Sequence, residues 1–287
     1  MRENHTKLSV NSSCQRNEKW QTVGYNGAMD QETLNAIAAG HHLPACRYLQ
    51  LTGSTNDDAL QWLAEGAPEY AFVAADAQSA GRGRQGRRWI STPGASIALS
   101  IILHPTATEQ RRLGLFSLLA GLAAAQAISE NCHAVVQVKW PNDVLIKRMK
   151  AAGILAEAQW ENNTLKGLVV GIGINLLKAS VPPNAELIYP ATSLEDHSKD
   201  VPDAARVMDA LLRSLLAMRQ NLCDPAFPQQ YMQKMAFLNE AVNLHTTGSQ
   251  TVHGIARGID DSGNLILQTD AGATQAFPVG EISLRPA

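Results

Sequence analysis

The feature that most constrains this chain is the stretch Gly81-Arg82-Gly83-Arg84-Gln85-Gly86-Arg87-Arg88-Trp89, set between two apolar runs of strand length at residues 70–75 and 96–103. Four arginines within eight positions repel one another unless an anion comes between them. Three interspersed glycines make a poor helix or strand interior, so the stretch reads as a loop joining two strands. Its glycines fit the pattern G-x-G-x-x-G, but a dinucleotide-binding turn must open a helix, whereas Pro93-Gly94 follows here and leads into another strand. An anion at this loop would therefore be met by guanidinium groups and loop backbone, each charge-assisted bond being worth roughly 1.5–3 kcal/mol. Taken alone, the loop reads equally well as a solvated Arg-Gly surface segment or an RNA-binding tract.

The rest of the chain supplies the scaffold. Residues 1–28 carry no sustained apolar periodicity and are expected to form a disordered tail. Helices are predicted from Asp30, a good N-cap, to Gly40, after the Ser54-Thr55-Asn56 cap, across 112–130, and across 203–222. Further strands are predicted at 134–139, 153–160 and 165–174. From Phe237 the pattern changes to short strands punctuated by Thr247-Gly248, Asp261-Ser262-Gly263-Asn264 and Ala271-Gly272, the mark of a small β barrel. The expected division is thus a tail at 1–28, a catalytic domain at 29–236 and a β domain at 237–287.

Composition narrows the function classes. A formal charge of −2 gives no global attraction to nucleic acid or anionic lipid, so anion binding must be local. The four cysteines never form a C-x-x-C pair and the histidines show no ligand spacing, which suggests neither a zinc site nor a disulfide framework and fits a reduced cytoplasm. The longest apolar run, 113–128, is broken by Ser117 and Gln126, so no membrane span is expected.

Two more segments carry chemistry. Lys139-Trp140-Pro141-Asn142-Asp143 ends a strand and turns, because Pro141 cannot join a central ladder and Asn142-Asp143 favours a turn. Lys150 then precedes Ala151-Ala152-Gly153, small residues that admit a ligand to the backbone at a strand start, although a lone lysine in such a place usually faces solvent. Gly171-Ile172-Gly173-Ile174-Asn175 ends the next strand, where Asn175 is either a turn cap or a ligand contact.

Together these segments resemble the biotin-protein ligase family. The matching motifs are Gly53-Ser54-Thr55-Asn56, Gln78 through Trp89, Lys139 through Asp143, Lys150 through Leu155, Gly171 through Asn175, and Gly280-Glu281-Ile282-Ser283-Leu284-Arg285, in the family's order over residues 45–287. The resemblance implies an α+β fold, a mixed sheet with helices like the class II synthetase and biotin-lipoate ligase catalytic domain, followed by an SH3-like barrel. It implies that ATP with Mg²⁺ activates biotin to biotinyl-5'-adenylate, and that biotin then passes to a lysine of a biotin carboxyl carrier protein, an acetyl-CoA carboxylase subunit or similar.

Carried over motif by motif, Ser54, Thr55, Asn56 and Gln78 would read the ureido end of biotin, Arg82 and Gly83 would close over it, and Gly153 would border it. Lys150 would stand between the biotin carboxylate and the ATP α-phosphate, with Arg84 beside both. Arg84, Arg87, Trp89 and Asn175 would face ATP and the adenylate, and Arg285 would reach in from the C-terminal domain. Asp143 would assist the acceptor lysine or organise the metal. These types suit the reaction, since joining a carboxylate to an α-phosphate builds charge that fixed cations and Mg²⁺ offset. The adenylate is a mixed anhydride that an ordered loop protects from water.

Bifunctional relatives carry a winged helix-turn-helix before the first motif, and only about 45 residues precede it here, which argues against DNA binding and repression. The resemblance also allows a homodimer. Competing readings are a lipoate or octanoate ligase or transferase on the same fold and, from another class, a nucleic-acid-binding module using the Arg-Gly loop.

Overall fold

The computed structural model describes residues 29–183, 189–245, 251–279 and 283–286; the expected tail, the Thr247-Gly248 turn, and Gly280, Glu281 and Ile282 of the last motif lie outside them. Asp30 starts α1 (Gln31–Gly40) as expected, its carboxylate accepting from the Thr33 N–H at 2.8 Å. There follow β1 (Cys46–Thr52), α2 (Thr55–Ala64), β2 (Phe72–Gln78), β3 (Ser96–Leu103) and α3 (Gly114–Asn131). Next come β4 (Val136–Lys139), β5 (Asp143–Ile146), β6 (Met149–Glu161), β7 (Thr164–Asn175), α4 (Ala204–Arg219) and α5 (Ala226–Lys234).

The first seven strands form one mixed sheet in the order β1-β2-β3-β7-β6-β5-β4, with only the β1–β2 pair parallel. Both faces are covered. Helix α3 is buried around nearly its whole circumference, which its Ala- and Gly-rich sequence permits, and it lies between the sheet and α4. On the other face α2 packs Ala59 and Leu63 against Val73, Ile102 and Val169. Ahead of α2 this second face lies open, and the site is built there.

Three elements were not expected. The edge strand β1 is only partly buried, with no apolar alternation to mark it. Helix α5 contains Pro228, and β5 is four residues long. Asp143, expected in a turn, is the first residue of β5, because the turn is completed by Trp140, Pro141 and Asn142, with a cis Trp140–Pro141 bond. Lys150, expected just before a strand, lies within β6.

The C-terminal strands β8 (Ala241–His245), β9 (Thr251–Ile259), β10 (Leu265–Thr269), β11 (Thr274–Phe277) and β12 (Ser283–Pro286) form an antiparallel sheet in the order β11-β10-β9-β8-β12, in keeping with an SH3-like domain. It is pinned beside the site. The Trp140 indole N–H donates to the Gly263 carbonyl at 3.0 Å, and Arg148 forks onto Glu240 at 2.9 and 2.5 Å. Among the described residues no helix is long and apolar enough to cross a membrane.

Candidate active site

A register row crosses the large sheet: Lys139 on β4 pairs with Asp143 on β5, which pairs with Gly153 on β6, then Gly173 on β7 and Ala98 on β3. Paired residues share a face, so all five present themselves to the open side of the sheet. The glycines make the floor. A Cβ at Gly173 would lie 2.4 Å from the Trp89 ring, and one at Gly171 would lie 2.1 Å from the Asn56 amide oxygen. These two positions need glycine because another part of the site occupies the space a side chain would take.

A bulge aims Lys150. Val144 pairs with Ala152 but Leu145 pairs with Lys150, which leaves Ala151 as an extra residue. In unbroken alternation Lys150 would share the face of Ala152 and Ile154, toward the α3 core. The bulge turns it to the Gly153 side, where its ammonium lies 2.6 Å from Asp143 Oδ1. Lys139 sits on the other oxygen, 2.6 Å from Oδ2. Burial pushes the Asp143 carboxyl up, but Lys150 and then Lys139 overcome it and hold the group far below the usual carboxylate range. Burial also draws the Lys139 ammonium below the usual lysine range despite Asp143 beside it. Two lysines share one carboxylate, so the cluster has a surplus positive charge for an incoming anion.

The other end of the cleft is neutral. Ser54, Thr55 and Asn56 are buried at the start of α2. Gln78 Oε1 accepts from the Thr55 N–H at 2.9 Å and lies 3.1 Å from its hydroxyl. Ser100 Oγ lies 2.7 Å from Thr55 Oγ1 and donates to Asn56 Oδ1 at 2.6 Å. Such a set of hydroxyls and amides suits a polar, uncharged group.

The Arg-Gly stretch is a tight hairpin rather than an open loop. Gly83 N–H donates to Arg87 O at 2.7 Å and Trp89 N–H to Gly81 O at 2.8 Å, around a turn at Arg84–Gly86 with φ of 58° at Gln85 and 69° at Gly86. The hairpin lies across the cleft, with the Trp89 ring over Gly153 and Gly173 and Arg84 donating to Asn142 Oδ1 at 3.3 Å.

Ser54, Thr55, Asn56, Gln78, Arg82, Gly83, Arg84, Arg87, Trp89, Asp143, Lys150 and Gly153 all line this one cleft. Two expected residues are placed differently. Asn175 is buried outside the lining; its amide donates to the Thr192 carbonyl at 3.1 Å, and Thr192 N–H in turn donates to the Lys150 carbonyl at 2.9 Å. Asn175 thus holds the segment that pairs with Lys150. Arg285 stands on β12 beside Leu284, which does line the cleft, and its charge reaches Lys139.

Sequence reasoning missed Ser100 and Glu157, which tie the neutral end together, and gave Lys139 no role of its own. Ser100 and Glu157 are each a polar residue inside a mostly apolar strand run, and that was the available signal. Among the described residues no group of three or more His, Cys, Asp or Glu is arranged to hold a metal.

The cleft therefore fits a ligand neutral at one end and anionic at the other. The model of the Biotin/lipoate A/B protein ligase family matches residues 48–175, and that of the biotin protein ligase C-terminal domain matches residues 237–285. A bifunctional ligase/repressor of Bacillus spizizenii is 35% identical over 246 residues, covering 85% of this chain and 74% of that protein. A biotin–acetyl-CoA-carboxylase ligase of Mycobacterium tuberculosis is 34% identical over 262 residues, covering 88% of this chain and 95% of that protein. Among solved structures, a biotin protein ligase from Aquifex aeolicus in complex with biotin and ATP aligns with a TM-score of 0.72 at 27% identity, covering 85% of this chain and 99% of that one. With a matching model at each end and relatives above 30% identity along most of its length, this chain belongs to the biotin protein ligase family.

Proposed function

We propose that this chain is an ATP-dependent biotin-protein ligase that forms biotinyl-5'-adenylate and transfers biotin to a lysine of a biotin carboxyl carrier protein in the cytoplasm. The observation that carries the reading is a single cleft with a neutral hydroxyl-amide end and a cation-rich end, roofed by the arginine hairpin. The expected division at residues 236 and 237 would separate the catalytic part from a domain that adds Leu284 to the rim and brings the charge of Arg285 near Lys139.

In the first step a biotin carboxylate oxygen attacks the α-phosphorus and pyrophosphate leaves. Ser54, Thr55, Asn56 and Gln78 would hold the ureido ring, with Gly153 leaving room beside it. Arg82 and Gly83 would close over the bound biotin. Lys150 would leave Asp143 to bridge the carboxylate and the α-phosphate, offsetting charge that grows in the transition state. Arg84, Arg87 and Trp89 would contact ATP and the adenylate, Arg285 would add charge from β12, and Asn175 would act through the segment that holds Lys150.

Mg²⁺ would arrive on the triphosphate. Both Asp143 oxygens already meet lysines, and the described residues supply no cage for the ion. In the second step the neutral acceptor amine attacks the acyl carbon, AMP leaves with the bonding electrons, and the proton shed by the new amide nitrogen passes to the departing phosphate or to solvent. Lys150 is the main cation holding the Asp143 carboxyl low, so once Lys150 has turned to the adenylate Asp143 would be released to meet the acceptor lysine and orient its amine for attack.

The test is ATP–pyrophosphate exchange with biotin and lipoate in competition. Exchange supported by biotin and not displaced by lipoate is expected. Exchange that needs lipoate would overturn the assignment, as would none with either acid alongside tight, steeply salt-dependent oligonucleotide binding.

A further inference from the structure

The Arg82 guanidinium has to be kept somewhere, and its partners lie outside the residues so far given a role. Nη1 donates to Glu157 Oε1 at 2.9 Å, Nη2 donates to Glu157 Oε2 at 2.9 Å, and Nη2 also donates to Asp57 Oδ1 at 2.5 Å. The first two form a parallel fork, the pairing that fixes a guanidinium plane as well as its position. Glu157 stands on β6 two and four residues beyond Leu155 and Gly153, so it shares the cleft face, and its side chain is 25% exposed.

The carboxylate also faces inward. Asn56 Nδ2 donates to Glu157 Oε2 at 2.6 Å and to the Leu155 carbonyl at 3.2 Å, while Asn56 Oδ1 accepts from Ser100. Ser100 meets the Thr55 hydroxyl, and Thr55 meets Gln78. An unbroken path of hydrogen bonds thus runs from Gln78 through Thr55, Ser100, Asn56 and Glu157 to Arg82, from the neutral end of the cleft to its roof. Arg84 also reaches out of the hairpin, donating to Asn142 Oδ1 at 3.3 Å as a single longer bond to a neutral acceptor, whereas Arg87 meets Gln85 in the same turn and Arg88 meets the Ser79 carbonyl at the hairpin's own base.

We propose that Glu157 is a positioning residue that latches the arginine hairpin shut, coupling occupation of the neutral end to retention of the activated intermediate. The proposal rests on the ligase reading above. Half-exposed ion pairs are weak, which suits a latch that must release on every turnover. When the hairpin opens early, water attacks the acyl carbon of the adenylate and AMP departs with the bonding electrons, leaving biotin and AMP with no carrier modified. Glu157 touches neither reactant in this scheme. Its loss should raise the leak more than it slows adenylate formation.

The test uses the full chain loaded with biotin and radiolabelled ATP-Mg²⁺, chased with unlabelled ATP, following the lifetime of bound adenylate and the rate of its formation. Glu157→Gln keeps the volume and an acceptor for Asn56 but removes the charge, and is expected to shorten the lifetime about ten-fold, about 1.4 kcal/mol. The formation rate should fall less than three-fold, and trypsin should cut the hairpin faster with adenylate bound. Asp57→Asn, which removes the more exposed partner, should change the lifetime less than two-fold. Arg82→Lys cannot fork, and the double variant with Glu157→Gln should be no worse than the worse single one. An unchanged lifetime in Glu157→Gln, or additive effects in the double variant, would overturn the proposal. Should Glu157→Gln not fold, Glu157→Asp is read in the same way, since a shorter arm cannot span to Arg82 and Asn56 together. A wild-type chain that forms no adenylate would instead defeat the ligase reading, so the two failures are told apart.

Discussion

Replacing Asp143 with asparagine tests whether one carboxylate holds the cationic end of the cleft together. In the wild-type chain Lys139 and Lys150 each approach a separate oxygen at 2.6 Å, and the side chains of Lys139 and Asp143 are only 8% exposed. The substituted amide would accept from one lysine at most and aim an N–H₂ donor at the other. Lys139 is largely buried at the edge of the cleft, so the variant leaves its charge there without the carboxylate that offsets it. Breaking a buried pair from one side costs about 3–5 kcal/mol, and the remaining amide acceptor brings the expectation to about 3 kcal/mol. For a chain of this size that is a fall in Tm of roughly 6–12 °C by calorimetry.

The pH dependence carries a sign. The Asp143 carboxyl is held below its unfolded value, so its contribution is present above about pH 4 and is lost as pH falls through the folded-state value. The gap between wild type and variant should therefore shrink in strong acid, as the wild-type carboxyl is protonated, and narrow again as pH rises, where the stranded Lys139 ammonium, already drawn down by burial, sheds its proton. Lys139→Met should cost less than Asp143→Asn, because Lys150 still neutralises the carboxylate. A melting temperature for Asp143→Asn within about 1 °C of wild type would refute the reasoning, and so would a gap that opens only above neutrality.

Lys150→Ala should leave the fold intact, since the ammonium is partly exposed, while single-turnover adenylate formation slows by about 10²–10³; a wild-type rate would remove this lysine from the mechanism. Gly173→Ala places a methyl 2.4 Å from the Trp89 ring, an overpacking worth about 1–3 kcal/mol that the ring relieves by leaving the floor. The expected outcome is an ATP KM raised roughly ten-fold or more with little change in Tm, and an unchanged KM would show that the ring does not shape the nucleotide site.

The parts legible in sequence were those whose physics is local. Asp30 and Asp203 mark helix starts because a short carboxylate next to free N–H groups caps wherever it falls, and both do so here. Residues 96–103 read as a strand because a mostly apolar run of that length, broken only by serine, is a buried strand, and β3 spans those residues. The arginine stretch read as a loop because clustered charge and glycine cannot fill a sheet interior. Strand β5 was hidden because four residues beginning inside a turn signal offer no period, and β1 because a partly exposed edge needs no apolar face.

The site was legible as a set of residues but not as an arrangement. Motifs named Lys139, Asp143 and Lys150 without saying that both lysines share one carboxylate, since that depends on register across three strands. Glu157 and Ser100 escaped for the same reason: their partners lie 75 and 44 residues away along the chain, at Arg82 and Asn56. Asn175 was visible, but its action on the backbone beside Lys150 could not be read from its type.

The extra residue at Ala151 has a consequence of its own. Side along a strand is a matter of odd and even, and Ala151 is the place where this hairpin changes the count. Removing that one methyl-bearing residue would leave every reactive group in the chain present, yet it would turn Lys150 through the sheet and into the packing against α3. A transplant of the lysine into another scaffold would likewise fail if it copied the lysine and left out the miscount. The residue with the least chemistry in the motif decides on which side of the protein the chemistry takes place.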